Sequence, residues 1–326
     1  MAKKEIHIGI GSTTSKPGDV AGNLRQIADF ARQAKGDGAD FILTPELSAS
    51  GYGPYPEVLA TAEPAGKGPI YQGLAQIARD SGVVVLAGFP EAANGKNYLA
   101  HYGVWPDGKF IVQRKNRVTI NEQPFDTDAV LAYENERDEI GQPIHPPVFT
   151  YFEIRGVRCA IAICADGGLA NLGPILAANG VELLLNPTGA GGRREDRVTT
   201  DELRTAPGRE TYAKWLELTF FPGKAGIINC LRWGRAYAGV NQCGFDGKRL
   251  YHMGHGTIIT PMGEVPSLVH GLANIDRQRP MYTHAVVDVA DRLWAPTEAI
   301  MHAQADSKAY KKGLDPDCRK DMIDWT

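Results

Sequence analysis

The chain has 326 residues, 43% hydrophobic and 22% charged, with a formal net charge of −3 and a sequence pI near 6.3. Such a chain can fill one large core or two medium ones, and its nearly balanced charge offers no electrostatic footprint for nucleic acid, so small-molecule chemistry is expected. The five cysteines, at positions 159, 164, 230, 243 and 318, are odd in number and form no Cys-x-x-Cys pair, which excludes a disulfide framework or zinc ribbon as the organising principle and suits a reducing, cytoplasmic setting.

The first residues, Met-Ala-Lys-Lys-Glu-Ile-His-Ile, lack the apolar region and cleavage site of a signal peptide, and no apolar run approaches the roughly 18 residues a membrane span requires. Ile6 to Ile10 reads as a short strand. Val20 to Ala34 reads as a helix, with apolar residues at Leu24, Ile27, Ala28 and Ala31. A second strand, 41–44, is closed by Pro45, and Glu46-Leu-Ser-Ala-Ser-Gly-Tyr52-Gly-Pro follows as a loop. A carboxylate just beyond a strand end is well placed for a site.

A helix over about 70–81 precedes strands at 83–89, 98–104 and 110–114, the last two joined by the hairpin signal Trp105-Pro-Asp-Gly-Lys109. Lys115 stands at the end of that hairpin strand, with Glu122 seven residues on. Residues 126–147 are acidic and Pro-containing and read as surface loop or weak strand. Strands 149–154 and 157–163 pair across Arg155-Gly156, a helix covers 169–178, and strand 181–185 ends at Asn186-Pro187. After a charged, turn-rich stretch over 193–210, the pattern predicts a helix at 210–220 and strands at 224–230 and 237–241. A turn at Asp246-Gly247, a hairpin over 256–265 and a final strand at 283–289 complete it. The tail from about Asp291 is polar. There is no repeat and no linker, so 1–290 is expected to be one domain.

Alternating strands and helices with this many hairpins do not make a purely parallel sheet; two packed sheets with helices outside account for both. Gly9-Ile-Gly11 does not continue to a third glycine, which weighs against a dinucleotide fold. The stretch 156–168 stands out. An apolar strand runs into Cys164, and Gly167-Gly168 then break it ahead of a helix. Cys164 is therefore expected in a sharp turn near helix amides that favour a thiolate, whereas Cys159, inside the strand, reads as a buried core thiol.

Three blocks, Thr44-Pro-Glu46-Leu-Ser-Ala-Ser-Gly-Tyr52, Arg114-Lys115 followed by Glu122, and Ile163-Cys164-Ala165-Asp166 with the run up to Asn186-Pro187, resemble in order and spacing the motifs of the nitrilase (carbon-nitrogen hydrolase) superfamily. Asn241-Gln-Cys-Gly-Phe and Gly254-His-Gly-Thr are similar to its late blocks. The resemblance implies an α/β fold of the four-layer α-β-β-α sandwich type. It also implies a Glu-Lys-Cys site at Glu46, Lys115 and Cys164, supported by Glu122, and assembly as a homodimer or larger through the sandwiches, with the tail of 291–326 crossing to a partner. Ala165-Asp166 stands where nitrile-cleaving members carry Trp-Glu, so cleavage of a small amide or carbamoyl compound is expected over that of a nitrile. A catalytically silent scaffold is the alternative of another class.

The chemistry stands independently of the resemblance. A poor electrophile such as an amide needs a nucleophile, a proton carrier and an oxyanion partner, and thiol, carboxylate and ammonium supply them without a metal or organic cofactor. Substrate contacts are expected from Tyr52, the backbone at Ala165, Asn186 and the glycine-rich loop carrying Arg193 and Arg194, whose guanidinium groups suit an anionic substituent. His252 and His255 fit packed or loop histidines better than a metal pair.

Overall fold

The computed structural model describes residues 3–127, 148–169, 172–193, 198–269 and 279–291. By its internal contacts the chain divides into Met1–Asp291 and Arg292–Thr326. The second unit lies outside the described residues, and with it the expected crossing of the tail to a partner. The stretch 128–147 lies outside them as well.

Fifteen strands are described. Sheet one contains β1 (Glu5–Ser12), β2 (Phe41–Leu43), β3 (Val84–Ala93), β4 (Lys96–Val104), β5 (Phe110–Arg114) and β15 (Met281–Asp288), in the order β15-β1-β2-β3-β4-β5. Sheet two contains β6 (Tyr151–Ile154), β7 (Val157–Ile161), β8 (Leu183–Thr188), β10 (Ala236–Asn241), β13 (Gly256–Ile259) and β14 (Ser267–Val269), in the order β14-β13-β10-β8-β7-β6. Parallel pairs occupy the middle of each sheet, β1–β2–β3 and β7–β8–β10, and antiparallel hairpins extend them outward. A small third sheet joins β11 (Cys243–Phe245), β12 (Leu250–Met253) and β9 (Gly192–Arg193).

Alternation along the strands shows how the layers stack, because successive strand residues face opposite sides. Ile6, Ile8, Ile10, Phe41, Leu43 and Leu86 of sheet one meet Cys159, Ile161, Leu183, Leu185, Ala238 and Ile258 of sheet two in one buried cluster. The intervening residues Ile42, Val85 and Ala87 turn outward against Ile27, Phe30 and Ala31 of α1 (Val20–Asp37) and Leu74 and Ala78 of α3 (Pro69–Ser81), while the four-residue α2 (Pro56–Leu59) lies between those helices in sequence. On the other side Ala160, Ala162 and Leu184 turn toward Leu172 and Leu176 of α4 (Leu172–Ala178) and Cys230 of α5 (Ala206–Arg232). This is the four-layer α-β-β-α sandwich.

Two predicted elements are corrected. Lys224 to Cys230, read as a strand, belongs to α5. Its Ile-Ile and Cys-Leu pairs look β-like in composition, yet Cys230 is buried and Ile227 packs toward the same cluster, while Ile228 and Leu231 face out, and an inward pair three residues apart is helical spacing. The strand expected to end before Asn186 continues to Thr188, because β10 pairs with it through Val240–Pro187 and Asn241–Thr188. Asn186 is therefore a strand residue, and the loop begins at Gly189. Among the described residues no helix is long and apolar enough to cross a membrane.

Candidate active site

Glu46 leaves the end of β2 on a tight turn. Thr44 anchors it by donating both its N–H and its hydroxyl to the Leu86 carbonyl of β3, each at 2.9 Å. Leu47 then takes φ +51°, a left-handed conformation that is rare for a branched residue. The turn presses so closely on β3 that a Cβ at Gly88 would collide with the Leu47 nitrogen, so glycine is required there. Gln242, the residue after β10 of sheet two, donates Nε2–H to the Glu46 carbonyl at 2.8 Å and pins the turn across the sandwich.

Lys115 follows β5, and its N–H to the Leu99 carbonyl (2.8 Å) extends the hairpin by one pairing. Its buried ammonium donates to Glu46 Oε1 at 2.7 Å and to Glu122 Oε1 at 2.5 Å. Glu122 is fixed in turn, because its Oε2 accepts the Thr119 N–H at 2.7 Å and its Oε1 also accepts the Tyr52 hydroxyl at 2.8 Å. Two carboxylates around one ammonium leave an excess negative charge in a dry site. Burial, only partly opposed by Lys115 and reinforced by Glu122, accordingly raises Glu46 to about 7. Burial also works against the Lys115 charge, but Glu122 and Glu46 outweigh it and hold the ammonium protonated well above its usual range.

Cys164 begins a 3-10 turn, Cys164–Gly168, at φ +49°, a strained conformation for a cysteine that projects its side chain from the strand end. It is buried, and Glu46, Lys115 and Glu122 all act on it electrostatically. The expected thiolate-favouring helix end is corrected at the cysteine: the turn Cys164–Gly168 is 3-10, and Leu169 after it is not helical. Burial and the neighbouring Glu46 push the thiol well above its usual range, with Lys115 and the Gly189 N–H, which is directed at the sulfur, opposing them. The resting group is a thiol beside a carboxylate. Glu46 Oε2 has no conventional hydrogen-bond partner among the described residues, and the Cys164 thiol nearby favours the ionised carboxylate.

Asp166, named in the sequence analysis as part of the cysteine motif, ties the two halves of this arrangement together. Fully buried, it accepts the N–H groups of Asn116 (3.0 Å) and Arg117 (2.7 Å), the residues after Lys115, and that of Ile163 (3.3 Å), the residue before Cys164. Burial raises its pKa to about 6, against those N–H bonds and Lys115. Asp166→Asn places an amide N–H or a weaker carbonyl before the same donors. We expect a loss of about 1–3 kcal/mol in urea unfolding, the scale of a disrupted buried hydrogen-bond group; a change within about 0.5 kcal/mol would show that the clamp contributes little.

The other predicted contacts fall differently. Tyr52 reaches the cluster, but its hydroxyl is spent on Glu122. Ala165 is partly exposed beside Cys164. Asn186 is turned to structure: Nδ2 donates to the carbonyls of Ala162 (2.5 Å) and Cys164 (3.4 Å), and Oδ1 accepts the Tyr237 hydroxyl (3.0 Å), so it holds the cysteine turn on sheet two. The backbone of Arg193 lies in β9, paired with Leu250; its side chain, and Arg194 altogether, lie outside the described residues. His252 and His255 are both buried; His252 Nδ1 meets the Ala190 carbonyl and the His255 carbonyl accepts the Asn241 N–H. Among the described residues no three His, Cys, Asp or Glu side chains converge as a metal site.

The family model for carbon-nitrogen hydrolases matches residues 7–269. The chain is 28% identical over 184 residues to an (R)-stereoselective amidase of a Pseudomonas species, covering 56% of this chain and 60% of that protein. It is 26% identical to a glutamine-dependent NAD(+) synthetase of Xylella fastidiosa over 74% of this chain but 39% of the synthetase. Both matches span less than two thirds of the relative's length. An omega-amidase of Xenopus tropicalis is 27% identical over 74% of this chain and 77% of its own. Among solved structures, an amidase from Nesterenkonia sp. AN1 in complex with butyramide superposes with a TM-score of 0.64 at 20% identity, covering 91% of this chain and 95% of that one, a likeness of fold. With its two-sheet sandwich and the family model matched from β1 to β14, the chain belongs to the carbon-nitrogen hydrolase family.

Proposed function

We propose that the protein is a thiol amidohydrolase that cleaves the C–N bond of a small linear amide or carbamoyl compound through a thioester on Cys164, releasing ammonia or an amine. The observation that carries this reading is the buried Lys115 ammonium held by Glu46 and Glu122 beside a protonated thiol. A silent scaffold has no use for such a cluster, since burying charges costs several kcal/mol each. Relatives whose names specify amidases, and a like-folded amidase that binds butyramide, support an amide over a nitrile.

In this reading Glu46 takes the thiol proton as sulfur attacks the carbonyl carbon, and the C=O π pair moves onto oxygen. Lys115 has three N–H donors; two are committed to Glu46 and Glu122, and the third, with the Ala165 backbone N–H, faces the oxyanion. Protonated Glu46 then gives its proton to the departing nitrogen as the C–N bond breaks and the thioester forms. Water, deprotonated by the same carboxylate, attacks the thioester; the acid leaves and the thiol is restored. Raising Glu46 to about 7 matches a group that must accept and return a proton near neutrality.

The sign of the pH dependence follows. A carboxylate with a raised pKa is lost as a base when pH falls through that value, so kcat/KM is expected to drop about tenfold per pH unit below an apparent pKa near 7. That value belongs to the Glu46–Lys115–Glu122–Cys164 cluster as a whole. An acid limb at 4 to 5 would contradict the assignment. The function itself is tested by ammonia release from a panel of amides, ureas and nitriles: turnover of simple amides is expected, and turnover of nitriles alone, or of nothing, would overturn the reading.

A further inference from the structure

His252 has a hydrogen-bonding atom that finds no partner among the described residues. The residue lies on β12, and its ring rests on the backbone of Gly191, where a Cβ would stand 2.8 Å from Nδ1; a larger residue would displace the ring. Nδ1 is 3.1 Å from the Ala190 carbonyl, which also accepts Nδ2–H of Asn241 at 2.8 Å. A carbonyl only accepts, so this contact assigns the ring proton to Nδ1 and leaves Nε2 as a lone-pair acceptor. Burial keeps the imidazole below its usual pKa, with the Ala190 carbonyl and Asp246 opposing, so the ring is neutral. Nε2 is buried without a hydrogen-bond partner among the described residues, in a residue only 2% exposed. Leaving such an acceptor unpaired in a buried site destabilises the state that lacks a donor.

Its surroundings connect it to the cluster from two sides. The Tyr52 ring meets the imidazole edge-on at 5.8 Å between centroids, and the Tyr52 hydroxyl is bonded to Glu122. The loop that receives Nδ1 begins at Gly189, whose N–H is directed at the Cys164 sulfur, and the Tyr52 ring lies against Gly189 as well. An acceptor in need of a donor therefore lies three contacts from the ammonium, through Tyr52 and Glu122, and three from the thiol, through Tyr52 and Gly189. Building on the amidohydrolase reading, we infer that Nε2 of His252 accepts a hydrogen bond from the substrate, so that the enzyme selects amides carrying a hydroxyl or N–H donor on the acyl part, away from the scissile carbonyl. A site built to bond a donor discriminates strongly against the analogue lacking it, because the buried acceptor is then left unpaired.

The test uses matched butyramides bearing a hydroxyl or a carbamoyl group at C2, C3 or C4, each against the partner with a methyl or acetyl group at the same carbon. Wild-type enzyme is expected to favour the donor of at least one pair by tenfold or more in kcat/KM. In His252→Phe that ratio should collapse to about one whatever happens to the common rate, and His252→Gln, which keeps an acceptor, should restore part of it. Dissociation constants of the same pairs for Cys164→Ala protein, with and without His252→Phe, give the ratio without turnover and independently of any loss of rate. Wild-type enzyme that turns over simple amides but prefers no donor by more than twofold overturns the inference alone. An unchanged ratio in His252→Phe, with both members falling together, also overturns it, as a packing effect. Failure of the wild type to hydrolyse any amide takes the amidohydrolase reading down with it.

Discussion

Cys164→Ala is expected to abolish turnover, by a factor of about 10⁴ or more in kcat, while the protein stays folded. The size follows from removing the sulfur on which the proposed covalent intermediate forms; what remains is water attack helped by Lys115 alone. Alanine is small enough for the turn and tolerates the left-handed backbone at this position no worse than cysteine does, so thermal unfolding should shift by only a few degrees. Cys159→Ala is the control. That thiol faces the core between the sheets with burial pushing it far out of the reactive range, so its loss should cost packing and leave kcat nearly unchanged. Steady-state ammonia release checks both, and a Cys164→Ala protein retaining more than a few per cent of the rate would remove sulfur from the mechanism.

Glu46→Gln is expected to lower kcat/KM by about 10²–10⁴, the range of a lost general base. Glutamine retains an oxygen for the Lys115 bond and nearly the same volume, but it cannot take a proton. The substitution also moves the thiol in the opposite direction to the rate. Glu46 is one of the influences that raise Cys164, so neutralising it should bring the thiol's pKa down and speed alkylation by iodoacetamide at alkaline pH even as turnover falls. A carboxylate that acted only by holding Lys115 in place would not produce that split. Parallel decline of turnover and alkylation would assign Glu46 to positioning and not to proton transfer.

The alternation of large apolar residues made the layers legible, since Phe41 and Leu43 facing one way and Ile42 the other is written directly into the strand. Glu46, Lys115 and Cys164 were recognisable because each stands within a few residues of a strand end, where a side chain leaves the ladder and becomes available for chemistry; Glu122, in a 3-10 turn, was legible only through the family motif. The resting state of Cys164 was not legible, because it depends on distances to Glu46 and Lys115, 118 and 49 positions away, and on burial that only the closed sandwich creates. Asn186 looked like a loop residue after an apolar run; only the pairing of β8 with β10 shows that it lies within the sheet and carries the cysteine turn. The roles of Asp166 and Gln242 escaped for the same reason. Their partners are backbone groups, Asn116, Arg117 and Ile163 for the first and the Glu46 carbonyl for the second, and backbone donors and acceptors carry no residue signature. Lys224 to Cys230 was misread because β-branched composition outweighed helical spacing over a short window.

The claim on which the rest depends is that Cys164 carries the acyl group during turnover. Wild-type protein mixed with excess butyramide or with a more reactive ester of the same acid, quenched in acid within milliseconds and mapped by mass spectrometry, tests it directly. The account predicts an added butyryl group on the peptide containing Cys164, absent from the peptide containing Cys230, lost on mild hydroxylamine treatment as a thioester is, and absent in Cys164→Ala. Turnover of the same substrate with no acylated cysteine at any quench time, or with the acyl group on another residue, would contradict it.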